Sequence, residues 1–308
     1  MGISRVLTVD GGGVRGVIPA IVLERLCGEP GLEGWLDRAD FLAGTSTGGL
    51  IVLSLAAGID VTELRGLYEK RAADVFADNL FDDVKDVGKL FGADYRVANL
   101  ERVVHEVLGD VTLADLDTRV LVTAFDLDNE AAVERTWKPK LFHNFPGGDS
   151  DDGALAYRVG TASAAAPTYF ATFDGYIDGG VFATNPSMCA LAQTQDARIP
   201  ADERADLQDV RLLSLGTGRS LRHIAGASHD WGYVKWVRPL LDLMLDGVNG
   251  IAHYQCSQLL GERYHRLAPT FPPGRQIGMD DVGDIPYMVD FASGLDLTAT
   301  ANWLRANW

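Results

Sequence analysis

Three observations predict a three-layer α/β fold for this sequence, with a mainly parallel central sheet covered by helices on both faces. The first fifty residues read as strand, glycine loop, helix, strand, tight turn and helix, a βαβα order. Three glycine-rich breaks, DGGGVRG at 10–16, GTSTG at 44–48 and DGG at 178–180, each follow an apolar strand. A parallel sheet gathers such breaks at the carboxyl ends of its strands. The apolar run 210–215, closed by GTG at 216–218, adds a further strand of the same kind.

Taken in order, residues 5–9 form a short β-rich run that stops at the first glycine loop, and 17–27 continue with helical periodicity. A strand at 40–43 leads into the GTSTG turn, and GLIVLSLAAG after it reads as a buried helix. Helices are expected at 60–75 and 100–108, with an irregular surface excursion over 78–96, where Asp, Gly and Phe are frequent. Residues 119–126 and 132–138 have strand character around a turn at 128–130, which predicts a hairpin. A small-residue helix at 154–166 ends before Pro167, because the residue preceding a proline is pushed out of helical geometry. YIDGG at 176–180 is another strand end, and the chain beyond 218 reads as mainly helical.

The 308 residues, 47% hydrophobic and 23% charged, are ample for a sizeable core, and no linker divides them. A single domain over 1–308 is expected, with its motifs in about 5–220 and a mainly helical part in 221–308. A formal charge of −16 disfavours nucleic acid as a partner and long-range attraction to an anionic membrane. Cys27, Cys189 and Cys256 are few, scattered and odd in number, as in a reducing compartment. No metal-ligand spacing, membrane-length apolar run or leader pattern is visible, so the expected location is cytoplasmic.

Ser46 sits in a GxSxG frame between Gly44 and Gly48, a pattern suited to a sharp strand-to-helix turn that lifts a hydroxyl out of the surface. Such a serine can act as a nucleophile if a base takes its proton, and Asp178 is the candidate base. Gly11, Gly12 and Gly13 could bring backbone N–H groups to an oxyanion, with Arg15 orienting the loop or adding positive potential. Asp10 reads as an anchor for backbone N–H groups.

DGGGVRG, GTSTG and DGG, in this order and spacing, resemble the signatures of the patatin-like phospholipase family. The resemblance extends to TYF at 168–170, NP at 185–186 and SLGTG at 214–218, and covers roughly the first 220 residues. It implies a Ser46/Asp178 dyad, an oxyanion loop made of Gly11–Gly13 with Arg15, and structural glycines at 44, 48, 179 and 180. It further implies a lipid acyl hydrolase of phospholipase A type that works through an acyl-enzyme on Ser46, with no metal or organic cofactor. Thr184 departs from the pattern, since many bacterial members carry the first of two asparagines there.

GGGVRG also satisfies the dinucleotide fingerprint GxGxxG, with Glu29 or Glu33 as the ribose acid, but this explains neither GTSTG nor DGG. An α/β-hydrolase with a histidine base would need more strands before its serine; of the six histidines, 105, 143, 223, 229, 253 and 265, His223 is the most tempting. Partners are then a lipid or ester substrate and a transient contact with a membrane surface. Nothing in the sequence sets the oligomeric state. Residues 231–245 read as core helix packing, with an acyl pocket or membrane contact as alternatives, and Phe76, Leu80, Phe81, Leu90 and Phe91 mark a flap over the serine. Arg135, Lys138 and Lys140 form a positive island. A short-chain carboxylesterase, a ligand-activated effector and a catalytically silent interaction module are the alternative functions.

Overall fold

The computed structural model describes residues 2–76, 95–201, 204–221, 223–224 and 233–308. Along the chain run β1 (Ser4–Val9), α1 (Val17–Cys27), β2 (Phe41–Thr45), α2 (Thr47–Ala56), α3 (Val61–Val75), α4 (Val97–Leu108), β3 (Arg119–Asp126) and β4 (Lys138–His143). They are followed by α5 (Ala156–Ala164), β5 (Tyr176–Asp178), α6 (Gly180–Ala183), α7 (Ser187–Thr194), β6 (Val210–Leu215) and α8 (Tyr233–Leu260). β7 (Tyr264–Leu267), α9 (Ile285–Ser293) and α10 (Thr298–Asn307) complete the described elements.

The strands form one mixed, mostly parallel sheet in the order β4-β3-β2-β1-β6-β7, with β5 paired to β3 off this path. Burial follows the period-2 alternation of a sheet covered on both sides. Leu7, Val9, Leu42, Val120, Val122 and Leu213 point into a core with α1, α2, α4, α5 and α10. Their neighbours Val6, Phe41, Ala43, Leu121 and Leu212 point to the other face, onto α7 and α8. The outer side of α1, through Val17, Ile18 and Ile21, packs on Ile285, Met288 and Ala292 of α9. A helix apolar all round its circumference, as α1 is, belongs in this doubly covered position.

Three sequence expectations shift. The second hairpin strand lies at Lys138–His143 rather than 132–138. In the connecting loop the side chains of Asp126, Asp128 and Asn129 accept hydrogen bonds from backbone N–H groups two residues on. That turn chemistry outcompetes extension, and Val133 is left fully in solvent. The C-terminal part is mainly helical but also supplies β7, a parallel neighbour of β6 whose YHRL sequence is too short and polar to show strand periodicity. Finally, β5 is antiparallel to β3, so the DGG break does not follow a parallel strand.

Candidate active site

The direction of β5 is what brings the serine and the aspartate together. β4 occupies one edge of β3 from Leu121 to Asp126. On the opposite edge, β2 pairs with β3 up to Thr45 opposite Thr123, and β5 pairs from Tyr176 opposite Asp126 down to Asp178 opposite Ala124. The two short strands therefore run head-on along the same edge. Ser46, one residue past the end of β2, meets Asp178 at the end of β5. Thr45 and Thr123 tie this junction with a hydroxyl–hydroxyl bond of 2.8 Å, and Thr45 Oγ1 donates to the carbonyl of Ala183 at 2.6 Å.

Ser46 has φ 54° and ψ −124°, the strained backbone expected of a sharp strand-to-helix turn. Both flanking glycines are required by space. A Cβ on Gly44 would lie 2.2 Å from the carbonyl oxygen of Gly48, and one on Gly48 would lie 2.1 Å from that of Val9. The Ser46 N–H donates to Ser163 Oγ on α5 at 2.8 Å. Ser163 was not singled out in the sequence; its only signal is a hydroxyl in the small-residue run GTASAAAP.

Asp178 is buried, and desolvation pushes its carboxyl up to about 6, against the opposing pull of hydrogen bonds from the Ser46 side chain and the Gly180 N–H. The Gly180 bond is 2.7 Å long. Gly179 lies so close to β3 that a Cβ there would fall 2.1 Å from Thr123 Oγ1. The pair is thus a hydroxyl facing a carboxylate whose proton affinity has risen toward neutrality.

The first glycine loop lies beside them, but its three N–H groups differ. Gly11 donates to the carbonyl of Thr184 at 2.9 Å, so its N–H is already engaged. Among the described residues, no acceptor takes the N–H groups of Gly12 or Gly13. Gly13 has φ 58°, and a Cβ there would sit 2.0 Å from the Met279 carbonyl, so this position admits only glycine. Arg15 links two loops, through Nε to the Gly12 carbonyl at 3.2 Å and through Nη1 to the Gly218 carbonyl at 3.4 Å.

Asp10 corrects the sequence reading: its carboxylate anchors a side-chain network rather than backbone N–H groups. Arg266 of β7 grips it from both nitrogens, at 3.1 and 2.5 Å, and also reaches Ser214 Oγ and Asn249 Oδ1. Both partners of this ion pair are almost fully buried. Arg266 and Asn249 went unnoticed because nothing local in the sequence links them to the loop.

Two cavities open onto Ser46 and Asp178. One is apolar and is lined by α2, α3 and α4, with Leu50, Leu64, Val75, Leu100, Val104 and Leu108 among its walls. The other is polar and passes between the loops after β1 and β6, α8 and β7. Phe76 lines the apolar cavity, whereas Leu80, Phe81, Leu90 and Phe91 of the expected flap lie outside the described residues. The apolar channel is thus built by helices other than the 231–245 stretch, whose Leu240, Leu243 and Met244 are exposed.

The family profile of the patatin-like phospholipases matches residues 7–191, more than half of the chain and the segment that holds both breaks around the dyad. The chain belongs to the patatin-like phospholipase family. It is 28% identical to the protein CotR of Bacillus subtilis (strain 168), over 99% of this chain and 98% of CotR. It is 30% identical to a cGAMP-activated phospholipase of Pseudomonas aeruginosa, over 87% of this chain and 79% of that protein. Patatin-like protein 2 of Oryza sativa subsp. japonica is 30% identical over 77% of this chain and 68% of its own.

Within this patatin-like frame the remaining sequence candidates fall away from the dyad. Glu29 and Glu33 both follow the far end of α1, whose 11 residues rise about 16 Å from the glycine loop (about 1.5 Å per residue), and Glu29 pairs with Arg305 while Glu33 accepts from the Gly31 N–H. His105, His143 and His265 are bonded to Asp110, Asp149 and Thr300. His253 lines the polar cleft but is bonded to Tyr264, and burial lowers its proton affinity; His223 is exposed, and His229 lies outside the described residues. Two of the three members of the positive island are paired, Arg135 with Asp128 and Lys140 with Asp151. Among the described residues no cluster of His, Cys, Asp and Glu could hold a metal ion, and no helix is long and apolar enough to cross a membrane.

Proposed function

We propose that the protein hydrolyses carboxylic esters of lipids, as a phospholipase A, through an acyl-enzyme on Ser46. The observation that carries this reading is the Ser46–Asp178 pair at the junction of an apolar channel and a polar cleft. Ser46 Oγ attacks the ester carbonyl carbon while Asp178 takes the hydroxyl proton. The N–H groups of Gly12 and Gly13, with the positive end of the α2 dipole, receive the developing oxyanion. Collapse of the tetrahedral intermediate expels the alcohol, which leaves with the proton from Asp178. Water, deprotonated by the same carboxylate, then attacks the acyl-enzyme and releases the fatty acid.

The apolar channel would take the acyl chain, and its extent along α2, α3 and α4 favours long chains over a short-chain carboxylesterase. Leu240, Leu243, Met244, Ile251 and Leu259 are exposed on α8, which also borders the polar cleft, and would meet the lipid aggregate from which substrate is drawn.

A fluorophosphonate probe tests the assignment. A mass shift on the Ser46 peptide, absent in Ser46→Ala, together with fatty-acid release from phosphatidylglycerol vesicles, is expected. A folded protein that neither labels nor releases fatty acid would sink the hydrolase reading. A second reading, gating by a nucleotide, is favoured by the name of the Pseudomonas aeruginosa relative. Release that appears only when cGAMP is added would establish it, and full release by the protein alone would remove it.

A further inference from the structure

We infer that Arg219 forms a head-group subsite that holds the phosphodiester of an anionic phospholipid in the polar cleft. The inference rests on Ser46 being the nucleophile. It adds what the motifs do not encode, the charge of the substrate's other half.

The cleft is lined by three arginines, Arg15, Arg219 and Arg266, and by two carboxylates, Asp10 and Asp178. Arg266 is consumed: it neutralises Asp10 inside the protein and spends its remaining donors on Ser214 and Asn249. Arg15 holds the two glycine loops together. Asp178 faces Ser46. Of the three guanidinium groups, only that of Arg219 is both exposed and unmatched by a carboxylate among the described residues.

Among the exposed arginines, Arg102, Arg135, Arg158, Arg198 and Arg305 pair with carboxylates, whereas Arg38 and Arg96, like Arg219, have no carboxylate partner among the described residues. What sets Arg219 apart is its place in the lining of the cleft. The backbone at Arg219 is fixed from both sides. Its N–H donates to the Pro269 carbonyl and its own carbonyl accepts from the Phe271 N–H, both at 2.9 Å. Gly218 before it has φ 90°, and a Cβ there would strike the Phe271 ring at 2.6 Å, so the turn that aims Arg219 is set by packing. A long cationic side chain on a rigid stem, lining the same cleft as the reacting serine, can bind a phosphate through two parallel N–H···O bonds.

The apolar channel accounts for the acyl chain of a lipid ester. Its alcohol portion must then occupy the polar cleft, where a neutral glyceride would leave Arg219 unused and a phosphodiester would engage it.

The test compares phosphatidylglycerol with 1,2-dioleoylglycerol, both in mixed micelles of a neutral detergent, for the wild type, Arg219→Ala and Arg219→Lys. The kcat/KM ratio of phospholipid to diacylglycerol should fall about tenfold in Arg219→Ala through KM, and recover in part in Arg219→Lys. An unchanged ratio, or an equal loss on both substrates, overturns the subsite while leaving the hydrolase reading intact. Calorimetric titration with glycerophosphoglycerol gives a readout free of turnover. Binding to the wild type that is lost in Arg219→Ala supports the subsite even if no ester is hydrolysed, an outcome that would sink the hydrolase reading alone. Inorganic phosphate binding as tightly as the diester would make free phosphate, not a head group, the ligand and would overturn the proposal.

Discussion

The apolar channel and the polar cleft share Ser46 and Asp178 but are built in opposite ways. The channel is a wall of side chains that helices present at regular spacing, with Leu100, Val103, Val104, Val107 and Leu108 on one face of α4. The cleft is made of loop backbone and of residues far apart in sequence, tied together by the buried Asp10–Arg266 ion pair and by hydrogen bonds from Arg15 to the Gly12 and Gly218 carbonyls. The channel should therefore tolerate changes of shape and answer them with changes of substrate. The cleft should answer loss of a single partner with loss of structure.

The largest effect is expected where the two regions meet. Asp178→Asn keeps the Gly180 N–H satisfied but cannot take a proton, so ester hydrolysis should fall by about 10²–10⁴. In the wild type the same carboxylate, raised to about 6, predicts kcat/KM that climbs through that pH and is flat above it. Stability moves the other way. Because the folded-state affinity lies above the unfolded value near 4, the folded protein gains a proton between about pH 4 and 6 that the unfolded chain does not hold. The cost of burying the ionised group is absent below pH 4 and complete above 6, where Asp178→Asn should gain about 3 kcal/mol. Denaturant titrations of both proteins at pH 4 and pH 8 check this, and an equal gain at both would contradict it.

The next effect separates the cleft from the channel. Arg266→Met strands the Asp10 carboxylate in the interior and should lower stability by about 3–5 kcal/mol. Adding Asp10→Asn should restore most of it, because a paired loss leaves no bare charge. If the single variant unfolds no more easily than the wild type, the ion pair does not hold the cleft together.

The smallest effect probes the channel. Val107 is half-buried on its wall, and Val107→Trp should lower hydrolysis of a sixteen-carbon ester about tenfold, roughly 1.4 kcal/mol, while a four-carbon ester is affected less than twofold. Equal losses on both esters would mean that the channel does not receive the acyl chain.

Much of the fold was legible because its rules are local. The βαβα opening, the helix expected over 60–75 and the small-residue helix before Pro167 follow from periodicity and turn chemistry. The misses share a cause. β7 is four residues of mixed polarity, a strand only because β6 offers a free edge. The loop after β3 is governed by consecutive side-chain-to-backbone turns, which displace the second hairpin strand from 132–138 to Lys138–His143. The channel-lining face of α4 was within reach, since its apolar positions recur at helical spacing, but spacing alone does not tell a core face from a cavity wall.

At the site, the sequence by itself determined which positions must be glycine and which side chains are a hydroxyl and a carboxylate. Gly44, Gly48 and Gly179 have no room for a Cβ, and Ser46 needs its strained turn, so these constraints are written into the residue types. The tertiary structure decided what those groups experience. Only the head-on meeting of β2 and β5 along β3 brings Asp178 to Ser46, and only burial there raises its proton affinity. It likewise turned Asp10 into the partner of Arg266 and committed the Gly11 N–H to Thr184. Conformational preference resides in single residues and their neighbours, whereas desolvation, ion pairing and the satisfaction of backbone donors depend on which distant segments share a space.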